Sequence, residues 1–129
     1  MRHEGVRLKP YLDTVGKWTI GVGRNLTDKG ISHDEALFLL DSDIDECVAD
    51  CQTFTWFAGL DGVRQRVIAD LRFNLGGRGL RGFKRTIQCV MDGDFDGAAN
   101  GLLRSRWASQ VGKRATVLAE MMRTGREPV

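Results

Sequence analysis

The alternation of side chains over residues 11–23 constrains the fold more than any other feature of this sequence. Trp18, Ile20 and Val22 alternate with threonine and glycine, and this period of two is typical of a β-strand. Residues 15–17 supply the turn that precedes the strand. Glycines opposite the apolar side chains indicate that something approaches that face closely. The segment therefore predicts one short hairpin near the N-terminus.

The rest of the chain shows the apolar spacing of three and four residues that is typical of amphipathic helices. Ser32 and Glu35 fit a capping box, in which both side chains satisfy free amides at a helix start, so a long helix is expected to follow. A second helix is predicted from about residue 60 to the glycine cluster at 76–79. Three further helices are predicted at 83–91, 95–103 and 112–122.

One hairpin followed by a helical remainder predicts an α+β fold. We expect a single domain in which residues 1–31 form a small N-terminal β-hairpin lobe, residues 32–52 a connecting helix and residues 53–129 a larger helical lobe. A chain of 129 residues is long enough for one hydrophobic core but marginal for two. An active-site cleft is expected between the lobes, where an extended substrate would fit.

The charges are unevenly distributed although the net charge is only +2. Residues 34–50 are strongly acidic, and many arginines follow Gly62. The basic part would favour an anionic polymer such as nucleic acid or the bacterial wall, or it is simply a solvated helix face. Nucleic acid is not expected as a partner, because no groove-reading motif is present.

Apolar runs and cysteines exclude several other classes of protein. No apolar run approaches the length of about 18 residues that spans a bilayer, and no signal sequence is evident, so membrane insertion is not expected. Cys47, Cys51 and Cys89 are an odd number without paired spacing. They predict neither a disulfide framework nor a zinc site, and we expect no metal and no cofactor.

Carboxylates are the best candidates for acid–base chemistry. His3 and His33 accompany no recognisable serine or cysteine nucleophile motif. Glycosidic hydrolysis needs one protonated carboxyl group and one ionised carboxylate, and Glu4, on a predicted helical stub, and Asp13, at the mouth of the hairpin near Thr19, could supply them. Because the chain holds 17 acidic residues, composition alone favours a plain surface role for both.

A longer pattern surrounds these residues. Residues 4–13 read E-G-x-R-x-x-x-Y-x-D and residues 16–23 read G-x-x-T-I-G-x-G. This pattern resembles the active-site signature of the phage lysozymes, the family of the T-even phage lysozyme (glycoside hydrolase family 24). Segments that resemble later family landmarks follow in the same order at 73–76, 82–83, 105–107, 114–115 and 123–125. The resemblance therefore covers nearly the whole chain.

The resemblance implies a lysozyme that hydrolyses the β-1,4 bond between N-acetylmuramic acid and N-acetylglucosamine of peptidoglycan with inversion. It implies Glu4 as the general acid, and Asp13 and Thr19 as the residues that position the attacking water. An inverting carboxyl pair stands about 6.5–9.5 Å apart. Arg114 matches a family arginine that orients the acid and joins the lobes, although a cation alone would lower the pKa of that acid.

Four further positions match substrate contacts of the family: Phe73, Asn74, Asn25 and Thr86. Phe73 and Asn74 would offer an apolar face and an amide to an N-acetyl group. Phe73 as an ordinary core residue is the alternative.

The resemblance also implies a place of action. Peptidoglycan glycan strands are the expected partner of a monomeric endolysin, which is made in the host cytoplasm and acts on the wall in the periplasm. Without a signal sequence it would need a holin pore, a phage tail or a fusion partner. The alternative is a non-catalytic peptidoglycan-binding or virion structural module, against which the intact Glu4, Asp13 and Thr19 set argues.

This sequence differs from the family pattern at three places, and each difference leads to an expectation. Only three residues precede Glu4, so the helix that holds the acid is expected to be a stub. Arg24 stands where many relatives carry a histidine, and Asp43 is its expected ionic partner. The segment at 25–32 is shorter than in the T-even enzyme, which predicts a lower cleft wall.

Overall fold

The structure is a computed structural model and describes residues 5–128. Three strands form its sheet: β1 (Arg7–Leu12), β2 (Trp18–Gly21) and β3 (Arg24–Asn25). Its helices are α1 (His33–Cys51), α2 (Gly62–Gly82), α3 (Lys84–Met91), α4 (Phe95–Leu103), α5 (Arg106–Val111) and α6 (Lys113–Thr124). A small N-terminal sheet with a helical remainder confirms the predicted α+β class.

The chain divides into two compact units, Met1–Asp41 and Ser42–Val129. The sheet belongs to the first unit and α2 to α6 belong to the second. Between residues 5 and 128, no helix combines the length and the apolar character that crossing a bilayer requires.

The sheet is antiparallel with the strand order β1-β2-β3. Tyr11 pairs with Thr19, and Thr19 pairs in turn with Asn25, so β2 is the central strand. A register shift between Arg7 and Tyr11 marks a bulge in β1. The predicted hairpin is therefore present, but β1 begins earlier than expected and β3 was missed, because two residues are too short to show an alternation.

The glycines at the end of β2 have a conformational role. Gly21 and Gly23 have φ angles of 70° and 79°, which L side chains rarely adopt. Among the described residues, a Cβ built at either position meets nothing within 4 Å. No described residue therefore approaches the chain closely at these two positions. The tight turn into β3 requires these two glycines.

The start of α1 is capped as predicted. Ser32 Oγ accepts from the Glu35 amide at 3.1 Å, and Glu35 Oε1 accepts from the Ser32 amide at 2.9 Å. Arg24, however, forms its ion pair with Glu35 and not with the expected Asp43. Asp43 and Glu35 both lie on α1, and sequence spacing alone does not decide which of them pairs with Arg24. In the structure, β3 places Arg24 beside the start of this helix.

The helices of the second unit follow the predicted pattern with two differences. Gly76 has φ 75° and ψ 170°, so the predicted helix end at this glycine cluster is a break, after which α2 continues to Gly82. The helix α5 lies between the predicted helices at 95–103 and 112–122 and was missed. Ser105 caps it by accepting from the Ala108 amide at 3.2 Å, and Gly112, at φ 60°, separates it from α6.

The hydrophobic core of the described chain lies in the second unit, where its largest fully buried side chains are Ile68, Leu71, Leu80, Leu102, Met122, Val67 and Cys51. Cys47, Cys51 and Cys89 are all free thiols. Burial raises the pKa of Cys51 to about 11, so this thiol is a packing group.

An ionic cluster joins the C-terminal half of α1 to α2 within the second unit. Asp50 Oδ2 accepts from Arg72 Nε at 2.6 Å, and Asp50 Oδ1 accepts from Arg81 Nη2 at 2.6 Å. Arg81 in turn lies over the Phe54 ring, with its Cζ 4.8 Å from the ring centroid. The two guanidinium groups hold the pKa of Asp50 well below its usual range.

Candidate functional site

Asp13 follows β1 and closes the turn into β2. Its Oδ1 accepts from the amides of Val15 and Lys17, both at 2.9 Å. Its own amide donates to the Lys17 carbonyl, also at 2.9 Å. The carboxylate is half-buried and held in one orientation by the turn, while Oδ2 has no hydrogen-bond partner among residues 5–128. That oxygen is available as a hydrogen-bond acceptor.

Thr19 lies on β2 and is 4% exposed. Its Oγ1 donates to the Lys17 carbonyl at 3.0 Å, the same oxygen that accepts from the Asp13 amide. The Lys17 backbone therefore links Asp13 and Thr19, the two residues that the signature assigned to the water. Sequence reasoning missed Lys17, because its contribution comes from the main chain and leaves no side-chain signal.

Arg7 and Tyr11, two further members of the signature, contact each other across the β1 bulge. The Arg7 Cζ lies 4.3 Å from the centroid of the Tyr11 ring. A cation over an aromatic face is attractive, and here it covers the ring on the strand beside Thr19. These two residues therefore support the sheet on which Thr19 stands.

Asn25, a predicted substrate contact, lies directly opposite Thr19 in the sheet. Its side-chain amide is engaged with the following turn: Nδ2 donates to Asp28 Oδ2 at 3.1 Å and Oδ1 accepts from the Asp28 amide at 3.0 Å. Asp28 also lies 3.4 Å from Lys17 Nζ. Asn25 would have to exchange these bonds in order to contact a sugar.

Phe73 and Asn74 lie next to each other on α2. Phe73 is 43% exposed, so the alternative of an ordinary core residue does not hold. Asn74 is exposed, and its Nδ2 donates to the Asp70 carbonyl at 2.8 Å, which leaves its Oδ1 as an acceptor. The structure thus brings an apolar face and an oriented amide together.

Arg114, on α6, forms an ion pair with Asp70 through Nη2 and Oδ1. Asp70 therefore contacts Arg114 through its carboxylate and Asn74 through its carbonyl. Sequence reasoning missed Asp70. Its position three and four residues before Phe73 and Asn74, on the same helix face, is the signal that could have found it.

Thr86, on α3, is 6% exposed and lines a cavity of about 580 Å³. Gly101 on α4 makes room for it, because a Cβ there would stand 2.6 Å from Thr86 Oγ1. Lys84, Arg85 and Arg104 line the same cavity. Thr86 Oγ1 makes no hydrogen bond to any other described residue, so it is free to bind a ligand in the cavity.

Glu4, the predicted general acid, and its predicted helical stub lie outside the described residues. Over residues 5–128, no group of three or more histidine, cysteine or acidic side chains could hold a metal ion. The remaining site residues thus form three sets. Asp13, Thr19 and Asn25 lie together in the first unit. In the second unit, Asp70 connects Arg114 and Asn74, the neighbour of Phe73, and Thr86 lies in a set of its own.

The Phage lysozyme family model matches residues 1–125. The chain belongs to the phage lysozyme family. Among the family's eukaryotic relatives, Probable T4-type lysozyme 2 of Dictyostelium discoideum is 26% identical over 95% of this chain and 89% of its own length. Probable T4-type lysozyme 1 of the same organism is 24% identical over the same shares of the two chains. Family membership supports a lysozyme, a glycoside hydrolase, in general terms.

A virion protein is also similar. The Pre-baseplate central spike protein Gp5 of Enterobacteria phage T4 is 27% identical over 96% of this chain, which matches only 27% of the spike protein's length. The alignment with Probable T4-type lysozyme 2 runs over 153 positions, more than the 129 residues of this chain. That relative therefore carries segments which this lysozyme family member lacks.

Proposed function

We propose that this chain is an endolysin-type lysozyme that hydrolyses the β-1,4 bond between N-acetylmuramic acid and N-acetylglucosamine of peptidoglycan. The observation that carries the proposal is the pairing of Asp13 and Thr19 through the Lys17 backbone in a member of the phage lysozyme family. A turn whose only role is to reverse the chain would not need a buried threonine hydroxyl that donates to the same Lys17 carbonyl.

Asp13 and Thr19 suit the activation of a water. Thr19 Oγ1 donates its proton to the Lys17 carbonyl, so its lone pairs are left to accept from a water. Asp13 Oδ2 would accept the other proton of that water as its oxygen attacks the anomeric carbon. Glu4 would at the same time donate a proton to the departing glycosidic oxygen, which gives inversion.

The second unit would supply the sugar contacts. We assign Phe73 and Asn74 to an N-acetyl group, since one is an exposed aromatic face and the other an oriented amide. Thr86 would contact the substrate through its free hydroxyl in the cavity beside α3. Asn25 is proposed as a further contact. Arg114 is proposed to orient Glu4, so Arg114→Met is expected to lower both activity and stability.

Peptidoglycan glycan strands are the proposed partner, and the wall is the proposed place of action. Synthesis in the host cytoplasm followed by passage through a holin pore is one proposed route. The similarity to the T4 spike protein favours a second route, in which the domain reaches the wall on a phage tail. A non-catalytic virion module is the second candidate function, and the same similarity supports it.

The decisive experiment compares wild type, Glu4→Gln, Asp13→Asn and Glu120→Gln on purified peptidoglycan. Glu120 is the matched control, because its side chain is 66% exposed and has only a 3.8 Å contact with Arg123. New reducing ends are expected from wild type and Glu120→Gln and not from the other two. Cleavage by none of the four would support the virion module instead, and cleavage by all four would refute the mechanism.

The stereochemistry is tested on the same reaction. Proton NMR of the first anomer formed should give the α configuration, because inversion converts the β-linked sugar. A β product would refute the role of Asp13 in activating water and would indicate a covalent intermediate.

A further inference from the structure

Among residues 5–128, Arg114 has one anchor, which is Asp70. The two side chains are 51% and 34% exposed, and ion pairs in contact with solvent contribute little to stability. The pair spans 44 residues of sequence and joins α2 to α6. The main effect of this ion pair is therefore to fix the position of the Arg114 guanidinium group.

An arginine side chain has many rotamers, and the guanidinium group carries five N–H donors in a rigid plane. Within residues 5–128, Asp70 is the only group that accepts from Arg114, and it takes a bond from Nη2 alone. The remaining donors are thus oriented by the one bond and stay free to bind an anion or a sugar oxygen. Without Asp70, the group would have to be ordered again in each catalytic cycle.

The same turn of α2 also orients Asn74, whose Nδ2 donates to the Asp70 carbonyl. Asp70 therefore stands between two residues that the family resemblance assigns to the reaction, although the signature itself does not include it. Asp96, another carboxylate of the second unit, pairs only loosely with Arg123, at 3.6 Å.

We propose that Asp70 is a positioning residue of the lysozyme reaction, which fixes the Arg114 guanidinium group so that its free donors keep one direction. The proposal rests on the proposed function, in which Arg114 orients the acid. Because Arg114 would then act on the transition state, loss of its anchor lowers kcat and leaves KM nearly unchanged.

The test measures kcat, KM and Tm for Asp70→Asn, Arg114→Gln, the double variant and the control Asp96→Asn. Asp70→Asn is expected to lower kcat about fivefold to tenfold at constant KM, and Asp70→Glu, which keeps the charge, to recover part of the loss. In the Arg114→Gln background, Asp70→Asn should have no further effect on kcat. Additive losses, or a fall in Tm alone with wild-type kcat, would overturn the proposal.

A second measurement does not depend on turnover. The ¹⁵N side-chain resonances of Arg114 should indicate restricted rotation of the guanidinium group in wild type and in Asp96→Asn, and free rotation in Asp70→Asn. Identical resonances in wild type and Asp70→Asn would overturn the proposal, whatever the activity. If the resonances differ as expected but wild type does not cleave peptidoglycan, the proposed function fails and the anchoring of Arg114 stands.

Discussion

Arg24 and Glu35 form a two-point ion pair in the first unit. Arg24 Nη2 lies 2.7 Å from Glu35 Oε2, and Arg24 Nη1 donates to Glu35 Oε1 at 2.8 Å. The same Oε1 accepts from the Ser32 amide and so caps α1, while Arg24 Nη1 also donates to the Gly30 carbonyl at 3.3 Å. One carboxylate therefore joins β3, the loop and the helix start.

The first prediction concerns the pH dependence of this pair. The hydrogen bond from Arg24, followed by that from the Ser32 amide, lowers the pKa of Glu35 from 4.5 to about 2. A lowered folded-state pKa stabilises the fold above the unfolded value and loses that effect as the pH falls toward about 2. Arginine does not titrate in this range, so the stabilisation is flat from about pH 5 to 8.

Thermal unfolding of wild type and Glu35→Gln checks this prediction. The variant should have a lower Tm at neutral pH, and the difference should close between about pH 4.5 and pH 2. Glu120→Gln is the control and should show no such closing gap. A difference in Tm that persists unchanged at pH 2 would mean that the charge of Glu35 is not what stabilises the fold.

The second prediction separates the two roles of Asp13. Asp13→Asn keeps an oxygen that can accept from the Val15 and Lys17 amides, so it should fold with a loss below about 1 kcal/mol but lose at least about 100-fold in activity. Asp13→Ala should lose the same activity and about 1–2 kcal/mol of stability, because two amides lose their acceptor. Urea unfolding and reducing-end assays measure both, and an active Asp13→Asn would restrict Asp13 to the turn.

The third prediction concerns Asp50. Asp50→Asn leaves Arg72 and Arg81 without a charged partner, and since Asp50 is one-fifth exposed we expect a loss of about 1–2 kcal/mol. The loss should be full above about pH 3.8 and disappear as acid protonates the wild-type carboxyl. Asp45→Asn, an exposed carboxylate of the same helix, should stay within about 0.5 kcal/mol of wild type. Equal losses in the two variants would contradict the assigned cluster.

The fourth prediction concerns Thr86. Thr86→Val replaces a hydroxyl that has no partner among the described residues, so stability should stay within about 1 kcal/mol of wild type or rise. Substrate binding should weaken, seen as a higher KM with little change in kcat. Thr116→Val, on the exposed face of α6, is the control. A loss of more than about 2 kcal/mol would show that the fold needs this hydroxyl.

Several local features could be predicted because they depend on a few neighbouring residues. The capping box of Ser32 and Glu35 follows from amide capping, and the backbone freedom of glycine indicated an interruption at Gly76, although not that α2 continues beyond it. The signature identified Asp13 and Thr19 as site candidates by resemblance. The signature did not predict that the Lys17 main chain links these two residues, since a backbone contact is independent of side-chain identity.

The sequence by itself thus determined the α+β class, most of the helices, the cap of α1 and the family. Only the tertiary structure decided which carboxylate each arginine meets. Arg24 and Glu35 are 11 residues apart, and Arg114 and Asp70 are 44 residues apart. Local preferences act within about one helical turn, whereas such partners depend on how whole elements pack. The pair with Glu35, and not the expected Asp43, exists because β3 places Arg24 beside the first turn of α1.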